Sequence, residues 1–307
     1  MKVTVVGAGF AGLATVWHLL QYPNVEVTLY DAGCSASRAS TGLLYPFPGR
    51  KASRSWLANE GIAASLELIG AAEQALGKPV ANRGGILRKP WVAWQSGVFT
   101  KIAKKDPTVS VIDGALWVPS GLAIYSRLYL EGLLQTCLQM GAILKKERVN
   151  SLDVIQADQI VLATGHKTLD FVDLPLKKMK GQALICKWGA NPLPYSLISN
   201  GHITPTEDPE LCIIGSTYEA EFTNAEPDPA VIPLLLEKIG SFYPPARNFE
   251  VVEVMAGIRM TPIEGYRPIV QKIDAKTHVF TGLGSRGLLY HALLGKHLAR
   301  DILLSKF

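Results

Sequence analysis

The sequence predicts an α/β fold in which a parallel sheet wound with helices is interrupted by an inserted, mostly antiparallel β section. Three observations carry this. The chain opens with a β-branched run, Val3 to Val6, that passes through glycines into an apolar helix. The same order of strand, glycines and helix returns from Val279 through Gly287 to Leu304. Between residues 179 and 251, short β-rich runs alternate with Pro, Asn and Gly turns.

The opening stretch reads Gly7-Ala8-Gly9-Phe10-Ala11-Gly12, a G-x-G-x-x-G spacing between a strand and a helix. Gly7 permits the tight turn, Gly9 lets backbone approach a pyrophosphate, and Gly12 lets the helix pack closely on the strand. Unpaired N–H groups and the dipole at the helix N-terminus then favour an anion. A second strand, Val25 to Tyr30, ends at Asp31. That position, about 20 residues beyond the glycines, suits a carboxylate accepting from ribose hydroxyls and disfavours a 2′-phosphate. The segment is therefore read as a Rossmann-like dinucleotide site. A secretion signal is rejected because glycines interrupt the apolar run, no small-residue cleavage site follows, and a strand resumes at Val25.

From Gly33 to Arg54 the chain turns small and polar, and beyond Arg38 it has little bulk, so its backbone can lie against a flat ligand. Residues 56–76 predict an amphipathic helix closed by Gly77-Lys78-Pro79, and Gly84 to Arg88 a strand leaving a turn. Apolar residues recurring at three and four predict a long helix from about Leu122 to Met140, closed by Gly141 and followed by a strand over 142–146. Ile160 to Ala163 is a buried strand whose Thr164-Gly165 end suits the carboxyl edge of a parallel sheet, where ligands bind. Antiparallel strands follow over 181–187, 196–204 and 211–216, then a helix over 231–242 and a strand over 249–258. The organisation is thus discontinuous: 1–78, 117–178 and 252–307 form the nucleotide-binding domain, and 79–116 with 179–251 the substrate domain.

Composition narrows the function classes. At 307 residues the chain buries about three quarters of its unfolded surface. No uninterrupted apolar run reaches about 18 residues, so no membrane span is expected. Cys34, Cys137, Cys186 and Cys212 are scattered, which argues against a metal site or a disulfide framework and fits a reducing cytoplasm. A net charge of +5 says little about nucleic acid. Two basic groups, Arg50, Lys51 and Arg54, then Arg83, Arg88, Lys89, Lys101, Lys104 and Lys105, read first as a solvated face and second as a phosphate-binding surface. The interleaved Trp91, Trp94 and Phe99 could stack bases but suit a core or a strand better.

Several further stretches, in this order and spacing, resemble the D-amino acid oxidase and glycine oxidase superfamily of flavoproteins over nearly the whole chain. They are Gly42 to Pro46, Lys180-Gly181-Gln182, Val161 to His166, Gly201 to Pro205 with Ile213 to Thr217, Ala256-Gly257-Ile258-Arg259, and Leu283 to Leu288. Within the superfamily the chain is most similar to the oxidase domain of the bifunctional tRNA 5-methylaminomethyl-2-thiouridine biosynthesis proteins. The resemblance implies FAD, with Gly7, Gly9, Phe10, Ala11, Gly12 and Asp31 holding the ADP part. It places Arg38, Ala39, Ser40 and Thr41 along the pyrophosphate and ribityl chain, and Gly42 and Leu43 beside the ring. Val149 would meet adenine through its backbone, Ala163, Thr164 and Gly165 would pack near the phosphates, and Gly284, Ser285, Arg286, Gly287 and Leu288 would offer backbone N–H groups to the flavin's pyrimidine edge.

The chain departs from its relatives in three ways that bear on the substrate. No methyltransferase domain of the kind the bifunctional proteins carry is expected before the first strand, Leu288 to Ala292 lacks their proline, and Arg267 stands where an apolar residue is expected. The implied activity is oxidation of the C–N bond of an amino acid or N-substituted glycine, free or as a carboxymethylaminomethyl-uridine of tRNA. Arg259 is the candidate for the substrate carboxylate, the alternative being an ion pair with Glu264. Arg286 is the second catalytic candidate. Tyr45, Tyr218, Tyr266 and Tyr290 are site walls or packing, and His166 and His291 supporting groups rather than a base. A redox-silent flavin-binding scaffold is the competing class, and a colourless NAD-dependent dehydrogenase a third.

Overall fold

A computed structural model describes residues 1–33 and 35–304, so Cys34 lies outside the described residues. The strand Lys2–Val6 sits in the middle of a six-stranded sheet in the order Ile143–Lys145, Glu26–Tyr30, Lys2–Val6, Gln159–Leu162, Thr277–Thr281, Ile269–Lys272. The first five strands run parallel, with Val6 opposite Tyr30 on one side and Leu162 on the other. Only the edge strand Ile269–Lys272 is antiparallel. Because neighbours on both sides of Lys2–Val6 come from later in the chain, its carboxyl end is a topological switch point, where a crevice opens above the sheet.

The helix Phe10–Leu19 is buried on every residue except Trp17, as expected of a helix apolar all round. It packs against the closing helix Gly287–Leu304 so closely that a Cβ at Gly295 would lie 3.1 Å from Ala14. The helices Ala58–Leu76 and Ser126–Gln139 complete this layer, and Leu13, Leu68, Leu133, Tyr290 and Leu298 share one core with the sheet.

A second sheet has eight strands, in the order Val251–Pro262, Leu176–Lys187, Leu211–Gly215, His202–Pro205, Ser196–Ile198, Ile86–Arg88, Ala115–Val118, Ser110–Ile112. All its pairings are antiparallel except that of Ser196–Ile198 with Ile86–Arg88. One face, with Leu184, Ile203 and Ile214, packs beneath the helix Val231–Gly240. The α/β fold with a mostly antiparallel second sheet is therefore as the sequence predicts.

Several elements differ from expectation. Leu122–Ile124, read as the start of a helix, is a buried strand between Leu43–Leu44 and Ala81–Asn82, and the helix starts only at Ser126. Residues 196–204 form two strands joined by a turn in which Ser199 N–H donates to the Gly201 carbonyl. The basic run after Arg88 contains a helix, Trp94–Lys105, followed by a hairpin, and neither was expected. The strand Val251–Pro262, given by the sequence reading to the nucleotide-binding part from residue 252, is the edge strand of the large sheet. Its Arg259 and Met260 nevertheless reach the crevice.

Candidate active site

A cleft of about 380 Å³ runs from the Gly7 to Ala11 turn and Asp31, past Ala163 to His166, to the Gly282 to Leu289 turn, with the large sheet as its far wall. Both glycine turns thus open onto one crevice. Gly7 has φ of 106°, and a Cβ there would lie 2.5 Å from the Ala163 carbonyl; a Cβ at Gly12 would run into the Gly7 carbonyl. Only bare backbone fits at either position. Gly9 leaves a gap of another kind, since its Cβ would come within 3.0 Å of the Ser35 and Ser37 hydroxyls.

Asp31 closes the turn by accepting from the N–H groups of Ala8 at 3.1 Å and Gly33 at 3.0 Å. Ser37 Oγ accepts from Phe10 N–H at 3.1 Å, occupying the helix end where an anion would sit. The N–H groups of Gly9 and Ala11, both facing the cleft, make no hydrogen bond among the described residues. The same holds at the closing turn. There Gly284 N–H is tied to the Met260 carbonyl and Arg286 N–H to Leu283, while those of Ser285, Gly287 and Leu288 are unspent among the described residues. Two helix N-termini with unspent donors, opening onto one cleft and with backbone alone fitting at Gly7 and Gly12, fit a dinucleotide.

Most expected cofactor residues line the cleft, including Gly7, Gly9, Phe10, Ala11, Asp31, Ala39, Ser40, Thr41, Leu43, Ala163, Thr164, Gly165 and Gly284 to Leu288. Four do not. Arg38 is exposed and lines a separate, smaller pocket with Arg127 and Glu207. Gly42 is a packing glycine, where a Cβ would strike the Ile124 backbone. Gly12 lies beneath the turn rather than beside it. Val149 packs in the cluster that holds Tyr30 and Ile160.

At the other end, Arg259 reaches across the large sheet. Its guanidinium fills the space a Cβ on Gly181 would need, its Nη2 donates to the Thr217 carbonyl at 2.9 Å, and its Cζ is 5.1 Å from the Tyr218 ring. Its hydrogen bond goes to that carbonyl rather than to Glu264. Burial pulls its pKa below the ordinary arginine value, with Tyr218 and Glu219 opposing. The Thr217 segment is held in turn. Gln182 N–H donates to Thr217 Oγ1 at 2.8 Å, Gln182 Nε2 donates to Glu219 at 3.0 Å, and Thr217 Oγ1 donates to the same carboxylate.

Arg286 lines the cleft with its Cζ 4.7 Å from the exposed Tyr266 ring. Tyr45 also lines it, its hydroxyl pKa raised by burial against the pull of Arg88 and Arg286. His166 borders the cleft and is disfavoured as a cation by burial. His291 does not: it is fully buried behind Phe10, hydrogen-bonded to Tyr129 Oη at 2.6 Å, and lowered to about 4 by burial. Tyr290 is packing against Trp56 rather than a wall. Gly181, Gln182, Gly257 and His202 are lining residues that no sequence expectation assigned to the site as contacts. The basic-Gly-Gln and Ala-Gly-aliphatic-Arg elements were the signals for the first three.

No helix among the described residues is long and apolar enough to cross a membrane. Cys137, Cys186 and Cys212 are free and buried.

Comparison with known proteins agrees with this geometry. The protein bifunctional ThiO/ThiG of Trichormus variabilis is 31% identical over 158 residues, which are 48% of this chain and only 23% of that relative's length. The fold matches iminodiacetate oxidase from Chelativorans sp. BNC1 with a TM-score of 0.83 at 18% identity, covering 98% of this chain and 95% of that one. It matches glycine oxidase from Geobacillus kaustophilus with a TM-score of 0.81 at 18% identity, covering 99% and 95%. The family model described as FAD dependent oxidoreductase matches residues 2–300, and the chain belongs to that family, an enzyme with FAD as its cofactor.

Proposed function

We propose that this protein oxidises the C–N bond of a small amino acid or N-substituted glycine, with residues 1–78, 117–178 and most of 252–307 serving FAD and the large sheet serving the substrate. When bound, FAD would supply the acceptor for a hydride from the carbon next to nitrogen, the N–H proton passing to water, so that an imine is left for hydrolysis. The chain's own part is alignment and charge placement. The observation that carries the reading is Arg259, a half-buried guanidinium in the cleft whose hydrogen bond is to a carbonyl, leaving its charge for an incoming carboxylate. Relatives whose names specify glycine and iminodiacetate, both amino carboxylates, support that class. Arg286, held over Tyr266 beside the unspent N–H groups of the closing turn, is assigned to the flavin edge or the substrate. The test is anaerobic mixing of the FAD-loaded protein with glycine, N-methylglycine, D-amino acids and tRNA carrying carboxymethylaminomethyl-uridine. Bleaching of the flavin by an amino carboxylate supports the reading; a bound flavin that none of them bleaches contradicts it and favours a scaffold.

One observation favours the tRNA member of that panel. The two basic groups of the sequence meet: Arg50 Cζ stands 5.0 Å from the ring of exposed Trp91, and Gln95 Nε2 donates to the Arg50 carbonyl at 2.7 Å. Trp94, Lys51 and Lys101 are exposed on the same unit, which adjoins the cleft at Pro48 and Gly49. Stacking aromatics beside cations suit a polyanion with splayed bases. Not every basic residue joins in, since Arg88 is buried against the Phe47 and Gly49 carbonyls, Arg83 pairs with Glu73, and Arg54 with Asp106.

A further inference from the structure

Charge is distributed unevenly along the cleft. Among the described residues that line it, Asp31 is the sole acid, and it belongs to the phosphate turn, where it accepts from the N–H groups of Ala8 and Gly33. The remaining lining residues include two guanidiniums, Arg259 and Arg286. Neither takes part in an ion pair among the described residues. A cleft lined by one sign of charge concentrates ligands of the other.

The two guanidiniums belong to separate groups. Arg259 is tied to the Thr217 carbonyl over the Tyr218 ring, and the Glu219 carboxylate is near enough to support its charge. Arg286 shares Tyr45 with Arg88: burial pushes the tyrosine hydroxyl pKa up and the two cations pull against it, so it stays a neutral donor. Arg88 does not line the cleft itself. It is buried, and its guanidinium donates to the Phe47 and Gly49 carbonyls, in the segment whose Tyr45, Pro48 and Gly49 form the cleft wall. Arg88 and Arg286 thus meet at one hydroxyl with no carboxylate to balance them.

That hydroxyl is open to a ligand. Tyr45 is half-buried and lines the cleft, and its Oη has no hydrogen-bond partner among the described residues without being one of the sealed polar atoms. Arg286 stands toward the rim, its Cζ 4.7 Å from the ring of Tyr266, which is 68% exposed. The unspent N–H groups of Ser285, Gly287 and Leu288 supply donors for the flavin's pyrimidine edge, which leaves the Arg286 side chain for the substrate. Arg267, next to Tyr266, adds another exposed cation, with its Cζ 4.7 Å from the Trp56 ring.

We infer that Arg286 and the Tyr45 hydroxyl together bind a second carboxylate of the substrate, so that the enzyme prefers an amino acid or N-substituted glycine carrying two acid groups. The inference rests on the proposed role of Arg259, which takes the first carboxylate. No bond is made or broken at this second point.

The test uses the oxidised, FAD-loaded protein and ligands that cannot turn over. Methoxyacetate is N-methylglycine with oxygen in place of N–H. Replacing its methyl by a carboxymethyl, carboxyethyl or carboxypropyl group gives a series of ether diacids, each compared by calorimetric titration with the amide of that added acid. The amide keeps the shape and loses the charge. At least one diacid should bind about tenfold tighter than its amide, as a charge-assisted contact requires. Arg286→Gln should bring that ratio to about one, and Tyr45→Phe, which removes one donor, should cut it about threefold. As ratios, both are insensitive to a general loss of binding. Arg259→Ala should weaken diacid and amide alike. If no diacid is preferred to its amide, or if the ratio is unchanged in Arg286→Gln, or in Tyr45→Phe should the former not hold flavin, the second carboxylate point is overturned while Arg259 stands. If Arg259→Ala changes neither ligand, the carboxylate reading itself fails.

Discussion

The two ends of the cleft are built by different means. The dinucleotide end is backbone: glycines at 7, 9 and 12, a capped turn around Asp31, and unspent N–H groups at two helix starts. The substrate end is side chains on a twisted sheet: Arg259 fixed by Thr217, Tyr45 beside Arg88 and Arg286, and His202 over Gly215. A backbone site tolerates no added atom but is indifferent to most surrounding chemistry. A side-chain site accepts changes of shape and answers to charge.

Substitutions should separate the two ends, and the greatest effect belongs to the first. Gly12→Val drives a branched side chain into the Gly7 carbonyl, an overpacking cost of about 3 kcal/mol. We expect flavin to be lost on purification and Tm to fall by roughly 5 °C, read from absorbance and calorimetry. Acid should act on the same end. His18 and His291 lie in the two helices that pack together there, both held neutral by burial with pKa values lowered to about 4 from 6.5. Between those values the unfolded chain binds more protons. Stability is therefore full above about pH 6.5 and falls as pH drops toward 4, by up to about 1.4 kcal/mol per pH unit for each histidine. A Tm that is flat across this window would contradict the burial of both rings.

At the substrate end, Arg259→Ala should raise KM about 30-fold, equivalent to roughly 2 kcal/mol of binding, with flavin content unchanged. Gln182→Ala, which frees Thr217 and Glu219, should raise KM by a smaller factor, about fivefold, since it acts through the carbonyl that holds Arg259. The smallest effect is reserved for the rim: Trp91→Ala should weaken tRNA binding a few-fold, consistent with about 1 kcal/mol of stacking, and leave KM for free amino acids untouched. Equal losses for both substrates would place Trp91 in the fold instead.

This contrast also explains what could be read from the sequence. Gly7, Gly9, Gly12 and Asp31 are legible because their spacing is local and each has one steric or polar reason. The three turns that line the cleft, at 7–11, 163–166 and 282–289, each end a buried strand, so their shared edge follows from the parallel sheet. His202 was not legible. Its place opposite Gly215 and in line with Ala183 depends on the register of strands far apart in sequence. Arg38 lies in an irregular segment where local spacing does not set the side: Ala39 and Ser40 line the cleft, and Arg38 lines a separate pocket. The helix Trp94–Lys105 was obscured by basic residues with little periodicity. The hairpin after it, however, carried a local sign in Asp113-Gly114, both at positive φ as a two-residue turn requires. Leu122–Ile124 shows the reverse error, a helical period overridden by pairing on both sides.

The account turns on one crevice joining a backbone cradle for FAD to a guanidinium that takes the substrate's acid group. A crystal structure of the FAD-loaded protein soaked with methoxyacetate addresses this most directly. It should show the pyrophosphate on the Gly7 to Ala11 turn, the flavin ring near the Gly284 to Leu288 turn, and the carboxylate on Arg259. A carboxylate bound elsewhere, with Arg259 still engaged only by Thr217, would contradict it.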